Sequence, residues 1–169
     1  MNKNKFFDPS FFVPFSILVV SVGALAIAYF VQYFFEVEPC VLCLYQRIPY
    51  FASVVLGSIA LVVEYRRVRV VEAAGVIFGF GAAIAFYHVG VEQHWWASVV
   101  ACGGNGGDGA AKTVRELHQL LLKGDLHKAC DNIIWSLYGF SMATYNVIIS
   151  LALAIGSFFG AYKIGAYNE

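Results

Sequence analysis

The residues with the clearest chemistry in this chain are two cysteines separated by two positions, Cys40 and Cys43. Two thiols at this spacing can form a disulfide or exchange with another one, a reaction in which a thiolate attacks a sulfur atom. Two further cysteines, Cys102 and Cys130, lie far along the chain, and four cysteines allow three pairings. The spacing favours a local Cys40–Cys43 pair, which leaves Cys102 and Cys130 to pair with each other.

A zinc site is the main alternative use of Cys40 and Cys43. Such a site needs two further ligands, often at a similarly short spacing. The histidines His94, His118 and His127 are scattered along the chain. We therefore predict that the protein holds no metal.

The long segment that carries Cys102 and Cys130 has two interpretations. Their disulfide could be purely structural. However, residues 103–109 beside Cys102 are rich in glycine, the composition of a flexible linker, and a structural disulfide rarely borders such a linker. Residues 110–122 have the pattern of a short amphipathic helix that could lie in the headgroup plane. A catalytic and a structural role for the pair are both left open by the residues alone.

The elements that position these cysteines are predicted to be membrane-spanning helices. Hydrophobic residues make up 60% of 169 positions and charged residues 13%, against about 25% charged residues in soluble domains. The formal net charge of +0 supplies no basic excess for binding nucleic acid. Four segments reach the roughly 20 apolar residues that a spanning helix needs, and lipid requires the backbone to satisfy its own hydrogen bonds. These spans one to four run over about 11–35, 44–63, 68–87 and 135–162.

The predicted fold is an all-α membrane protein, a single four-span domain over residues 1–169. Its four-transmembrane-helix bundle carries a long outer loop, about 88–134, with the short amphipathic helix in it. Basic residues before span one and between spans two and three place both termini in the cytoplasm. All four cysteines then lie on the outer side, where disulfides persist in a bacterial cell. A cleaved signal peptide in place of span one is the alternative, and the length of the apolar run argues against it.

The surroundings of Cys40 and Cys43 favour a reactive thiolate. Pro39 precedes Cys40, and a helix is expected to begin there, with unpaired N–H groups that stabilise an anion. Arg47 lies one turn beyond Cys43 on the same helix face. A guanidinium at this depth either reaches for the headgroups or steadies both the Cys43 thiolate and an electron-accepting ligand.

The segment Gln32–Arg47, with the sequence PCVLCLYQR at its end, resembles the bacterial disulfide bond formation protein DsbB family. The layout of four spans, with a short first and a long second outer loop, agrees with that family over essentially the whole chain. The resemblance implies a membrane thiol–disulfide oxidoreductase that reoxidises a periplasmic, DsbA-like thioredoxin-fold oxidase. The electrons would pass to the membrane quinone pool, as ubiquinone or menaquinone, in the bacterial inner membrane.

The resemblance also implies a role for each cysteine. The partner's thiolate would attack Cys102 of a Cys102–Cys130 disulfide. Cys130 would then reduce the Cys40–Cys43 disulfide, and Cys43 would be left beside the quinone.

Three further residues match the family's quinone site by position. Arg47 matches its arginine, His88 matches a position associated with that site, and Gln32 does so more weakly. The alternative for His88 is an interfacial residue at the end of span three. Glu38 and Gln46 depart from the pattern of the best-known members. This leaves open which DsbA-like partner docks, and whether this protein is the general oxidase or a dedicated relative.

Two other functions are weighed against this one. A vitamin K epoxide reductase-like enzyme also combines four helices, a quinone and a C-x-x-C motif, but its redox motif lies toward the C-terminal end of the bundle. A non-enzymatic membrane scaffold with two structural disulfides is the alternative from a different class.

Overall fold

The structure, a computed structural model, describes residues 8–36, 38–96, 136–137 and 139–168. Within these ranges it contains the helices α1 (Pro9–Phe34), α2 (Val41–Tyr45), α3 (Ile48–Val62), α4 (Arg67–Glu92) and α5 (Met142–Asn168). A 3₁₀ turn, Glu64–Arg66, joins α3 to α4, and a hairpin of β1 (Ser136–Leu137) and β2 (Phe140–Ser141) precedes α5. The predicted loop helix at 110–122, Cys102 and Cys130 lie outside the described residues.

Among the residues that the structure describes, four helical stretches are long and apolar enough to cross a membrane. They are Pro9–Phe34, Val41–Val62, Glu64–Glu92 and Met142–Ala166. Large apolar side chains such as Phe80, Val62 and Tyr162 are 68%, 81% and 73% exposed. Apolar surface this extensive is typical of an interface with lipid or protein and not with water. The prediction of a four-span helical membrane protein is confirmed.

Span two is broken near its N-terminal end, a feature that was not predicted from the sequence. Helix α2 ends at Tyr45 and α3 begins at Ile48, with Gln46 and Arg47 between them. Pro49 has no N–H to donate to the Tyr45 carbonyl, and a proline ring clashes with the carbonyl four residues before it. The Arg47 N–H instead bonds to the Leu44 carbonyl, 3.1 Å away and only three residues back. The break therefore begins four residues before the proline.

The start of span four differs from its predicted place near residue 135. Helix α5 begins only at Met142, because β1 and β2 pair in antiparallel register, Ser136 with Ser141 and Leu137 with Phe140. Gly139 makes the turn between them with φ +83°, a backbone conformation that glycine adopts at little cost. Hydropathy does not separate this hairpin from the helix that follows, and so the predicted boundary was early.

Span three extends further than its predicted end near residue 87. Helix α4 continues to Glu92, which is 9% exposed and accepts a hydrogen bond from Ser141 of β2 at 2.5 Å. His88 therefore lies inside the helix and is only 3% exposed. The alternative interpretation of His88 as an interfacial helix-end residue is wrong.

The helices pack around α4, which lies against both α3 and α5. The core includes Phe78, Val71 and Ile164, each at most 1% exposed. Glycines allow the closest approaches, as is usual where helices pack in a membrane. A Cβ added at Gly81 of α4 would lie 3.1 Å from both Cβ and Cγ of Pro49 in α3.

The first prediction concerns this helix contact. Gly81→Ala should lower the free energy of unfolding by about 1–3 kcal/mol, because the rigid Pro49 ring has to shift. Gly79→Ala is the matched control in the same helix, since a Cβ there meets nothing within 4 Å. The measurement is the temperature at which half of the detergent-solubilised protein stops eluting as a single monodisperse peak. Equal shifts for both variants would show that the α3–α4 contact is not tight.

Candidate redox site

Cys40 and Cys43 lie together at the start of α2. Cys40 is the N-cap residue, and its Sγ accepts the backbone N–H of Cys43 at 3.3 Å. The two sulfurs are free thiols 3.0 Å apart. A disulfide has an S–S distance of about 2.05 Å, so a movement of about 1 Å separates the dithiol from the disulfide.

The contacts at Cys40 favour its thiolate. Its pKa is lowered to about 4, chiefly because the Cys43 thiol can hydrogen-bond to a Cys40 thiolate. Burial opposes this effect, and His88 together with the Cys43 backbone N–H adds to it. One interpretation of the sequence placed the stabilised thiolate at Cys43, next to Arg47. In the dithiol form the stabilised thiolate is Cys40, chiefly because the Cys43 thiol can hydrogen-bond to it.

His88 connects the thiols to two further buried groups. Its Nε2 lies 3.6 Å from Cys40 Sγ and 3.7 Å from Glu92 Oε1. Its Nδ1 lies 2.7 Å from Gln46 Nε2. The sequence analysis included neither Gln46 nor Glu92 in the site. The spacing of four residues between His88 and Glu92 places both on one face of α4 and could have indicated the second of them.

Arg47 has its partners on α1. Its guanidinium donates to Gln32 Oε1 at 2.8 Å and lies over the Tyr29 ring, 4.8 Å from its centroid. The cation–π contact and the charge-assisted hydrogen bond are both strong interactions of a guanidinium group. Among the described residues, Arg47 therefore contacts Gln32 and Tyr29 and not Cys43. Its contact with Gln32 brings together one residue selected from its helix position and one selected only by resemblance.

A cavity of about 400 Å³ joins these groups. All of the predicted site residues that the structure describes line it, namely Cys40, Cys43, Arg47, His88 and Gln32. Its other walls are mainly apolar side chains of α1 and α5. An apolar cavity with a few convergent polar groups is the usual form of a small-molecule site. Cys102 and Cys130 lie outside the residues that the structure describes, and the roles assigned to them stay predictions.

The site also contains three potential metal-ligating atoms. The sulfurs of Cys40 and Cys43 and a ring nitrogen of His88 lie within 4.8 Å of one another. The sequence argument against zinc considered His94, His118 and His127 but not His88. Structural zinc sites use four protein ligands, one more than this group supplies, and the absence of a metal stays a prediction.

The fold and the site together define a multi-pass helical membrane protein with a vicinal dithiol at the edge of one span. Comparison with known proteins gives the family: the model of "Disulfide bond formation protein DsbB" matches residues 11–160. The chain belongs to the DsbB family. The family assignment selects disulfide-forming oxidoreductase over the vitamin K epoxide reductase-like alternative.

Several relatives carry the same description. A disulfide bond formation protein B of Xylella fastidiosa is 30% identical, over 79% of this chain and 79% of its own. One of Xanthomonas axonopodis pv. citri is 28% identical over 84% of each chain. A probable disulfide formation protein of Chlamydia muridarum is 34% identical over 56% of this chain and 67% of its own. No solved structure gives a significant match.

The second prediction concerns the Cys40 thiolate. In a reduced variant with Cys102 and Cys130 replaced by serine, the ultraviolet absorbance of the thiolate should stay constant from pH 8 down to about 6. It should fall as the pH drops through about 4, because a lowered pKa keeps the thiolate present above that value. Adding Cys43→Ala should move this transition to higher pH, since the principal hydrogen bond is lost. A transition near the ordinary thiol value in the starting variant would refute the assignment.

Proposed function

We propose that this protein oxidises a periplasmic dithiol partner of the DsbA type and transfers the two electrons to a membrane quinone. The observation that carries the proposal is the shared cavity, because the free thiols of Cys40 and Cys43 line the same space as Arg47 and His88. A purely structural dithiol needs no such space beside it. Membership of the DsbB family supports a disulfide-forming activity in general.

The cavity suits a quinone head group. Such a group has an apolar ring with two carbonyl oxygens that accept hydrogen bonds, and it carries a hydrocarbon tail. Arg47 supplies N–H donors at one side, and apolar residues of α1 and α5 supply the walls. The volume of about 400 Å³ lies within the range of about 300–1,000 Å³ that is usual for ligand pockets. When bound, a quinone supplies an acceptor for two electrons and two protons.

The protein's own residues supply the other half of the reaction. When Cys40 and Cys43 change from dithiol to disulfide, one S–S bond forms and two electrons and two protons leave the pair. The low pKa of Cys40 belongs to the dithiol form. In the mixed disulfide that the family resemblance implies, Cys40 would be bonded to Cys130 and Cys43 would carry the thiolate. Cys43 is partly exposed and lines the cavity, which supports its proposed place beside the acceptor.

The proposed location is the bacterial inner membrane, with the termini in the cytoplasm and the cysteines on the periplasmic side. Cys40 precedes the span Val41–Val62 and Arg66 follows it. The thiols and this basic segment are therefore at opposite ends of one span. Basic residues mark the cytoplasmic side, which supports the periplasmic side for the thiols.

The third prediction tests the activity itself. The purified protein, given a reduced DsbA-like partner and a soluble quinone, should reduce one quinone for each partner dithiol that it oxidises. Cys43→Ser should reduce this turnover to the background rate, because no Cys40–Cys43 disulfide can form. Wild-type protein without quinone is the control. Turnover retained by Cys43→Ser would sink the proposal, and an inactive wild type would favour the scaffold. Mass analysis of lipids extracted with the protein would show which quinone it carries.

The fourth prediction concerns Arg47. Arg47→Gln should raise the KM for quinone about ten- to a hundredfold, since a hydrogen bond from a charged group is worth about 1.5–3 kcal/mol. Arg69→Gln is the matched control, because Arg69 is an exposed arginine at the other end of the bundle. The measurement is the initial rate at varied quinone concentration with saturating partner. The same change in KM for both variants, or none for Arg47→Gln, would contradict a direct role.

A further inference from the structure

A chain of buried hydrogen bonds extends from His88 into the bundle and is not explained by the proposed reaction. Gln46 Nε2 lies 2.7 Å from His88 Nδ1. Gln46 Oε1 accepts from Asn146 Nδ2 at 2.6 Å. Asn146 Oδ1 in turn accepts from the hydroxyls of Tyr50 at 2.5 Å and of Ser150 at 3.2 Å. The chain joins α5 and α3 to the helix break and ends at the redox site.

The chain has a direction, which follows from the positions of the amide oxygens and nitrogens. Two hydroxyl groups donate to Asn146 Oδ1, and the amide nitrogen of Asn146 faces Gln46. An amide nitrogen only donates hydrogen bonds, so Gln46 presents its oxygen to Asn146 and its nitrogen to His88. His88 Nδ1 must therefore be the acceptor. A ring nitrogen that accepts a hydrogen bond carries no proton.

We propose that Gln46, held by Asn146 and Tyr50, fixes His88 as a neutral imidazole with its proton on Nε2. This inference rests on the proposed function and deepens it, because it assigns positioning roles to three residues around the thiols. Nε2 is the nitrogen that lies 3.6 Å from Cys40 Sγ. With the proton there, His88 can donate a hydrogen bond to a Cys40 thiolate. With the proton on Nδ1, a lone pair would face the sulfur.

Other groups around His88 bear on its protonation. Glu92 Oε1 lies 3.7 Å from Nε2, and a carboxylate there would favour a charged ring. Cys40 faces the same nitrogen, and Cys43 lies beside Cys40. A charged ring also carries a proton on Nδ1, which would point at the N–H of Gln46. Relieving that clash would require the amides of both Gln46 and Asn146 to turn around. With the amides as the structure places them, the chain opposes the charged form, while an Nε2 proton suits Glu92 and Cys40.

An acid in place of Gln46 would have the opposite effect on His88. A carboxylate has only acceptor atoms. Beside His88 Nδ1 it would require a proton on that nitrogen, the opposite arrangement. Gln46 and Asn146 together therefore favour a different position of the His88 proton from the one that an acid would favour. The substitution Gln46→Glu reverses the arrangement with a minimal change in volume.

The test is the protonation of His88, observed by ¹⁵N–¹H NMR of the reduced full-length protein in detergent at about pH 7. Multiple-bond correlations distinguish the two neutral tautomers and the charged ring. A His88→Asn spectrum assigns the His88 signals among the four histidines of the chain. The wild type should show a single form with the proton on Nε2. A proton on Nδ1, alone or with one on Nε2, would overturn the proposal.

Substitutions along the chain then test what fixes the tautomer. Gln46→Glu should move a proton onto Nδ1, and Gln93→Glu is the matched control at an exposed glutamine just after α4. If Gln46→Glu does not fold, Gln46→Met removes both ends of the amide at similar volume, and the Nδ1-protonated form should then appear beside the other. Unchanged His88 signals in Gln46→Met would refute the role of the chain. The NMR result is independent of turnover, so a wild type without quinone reductase activity would sink the proposed function alone.

Discussion

Polar side chains inside a membrane-spanning bundle have to find their partners within the protein, because hydrocarbon offers none and an unpaired buried group costs about 1–3 kcal/mol. His88, at 3% exposure, is the residue around which this constraint operates here. Both of its ring nitrogens face polar groups, and those groups have partners of their own. His88 contacts Cys40 of the dithiol and Gln46 of the break in span two. It also contacts Glu92, which binds Ser141 of the hairpin before α5.

The break in span two gives the site its two polar sides. Gln46 and Arg47 are consecutive residues between α2 and α3, yet their side chains have partners on different helices. Gln46 bonds with His88 on α4 and Asn146 on α5, whereas Arg47 bonds with Gln32 on α1. A continuous helix would place consecutive side chains about 100° apart on a fixed backbone. The cavity lies where these two sets of contacts meet, and both thiols line it.

The two thiols differ in their environment more than their short spacing suggests. Cys40 is 2% exposed and caps α2, while Cys43 is partly exposed and belongs to the first turn. The hydrogen bonds that stabilise a thiolate converge on Cys40. Attack on Cys40 by another sulfur would remove that preference, because a sulfur in a disulfide carries no charge. The identity of the thiolate therefore depends on the redox state of the pair.

Local composition was sufficient to predict the four spans, because membrane insertion depends on apolar content over about 20 consecutive residues. It also indicated the dithiol and Arg47, and the family resemblance added His88 and Gln32. The boundaries were less accurate. Pro49 is a sequence signal for the break in span two. The hairpin before α5 depends on the pairing of Ser136 with Ser141 and has no hydropathy signal.

What only the tertiary structure decided is the set of partners. The hydrogen bonds of Gln46 with His88 and Asn146 join residues 42 and 100 positions apart, and that of Tyr50 with Asn146 spans 96. No local pattern encodes such contacts, because they arise only when separate helices pack. The sequence by itself determined that a dithiol lies at the edge of a membrane span. The packing of α4 and α5 against the break decided which groups surround the histidine beside the dithiol.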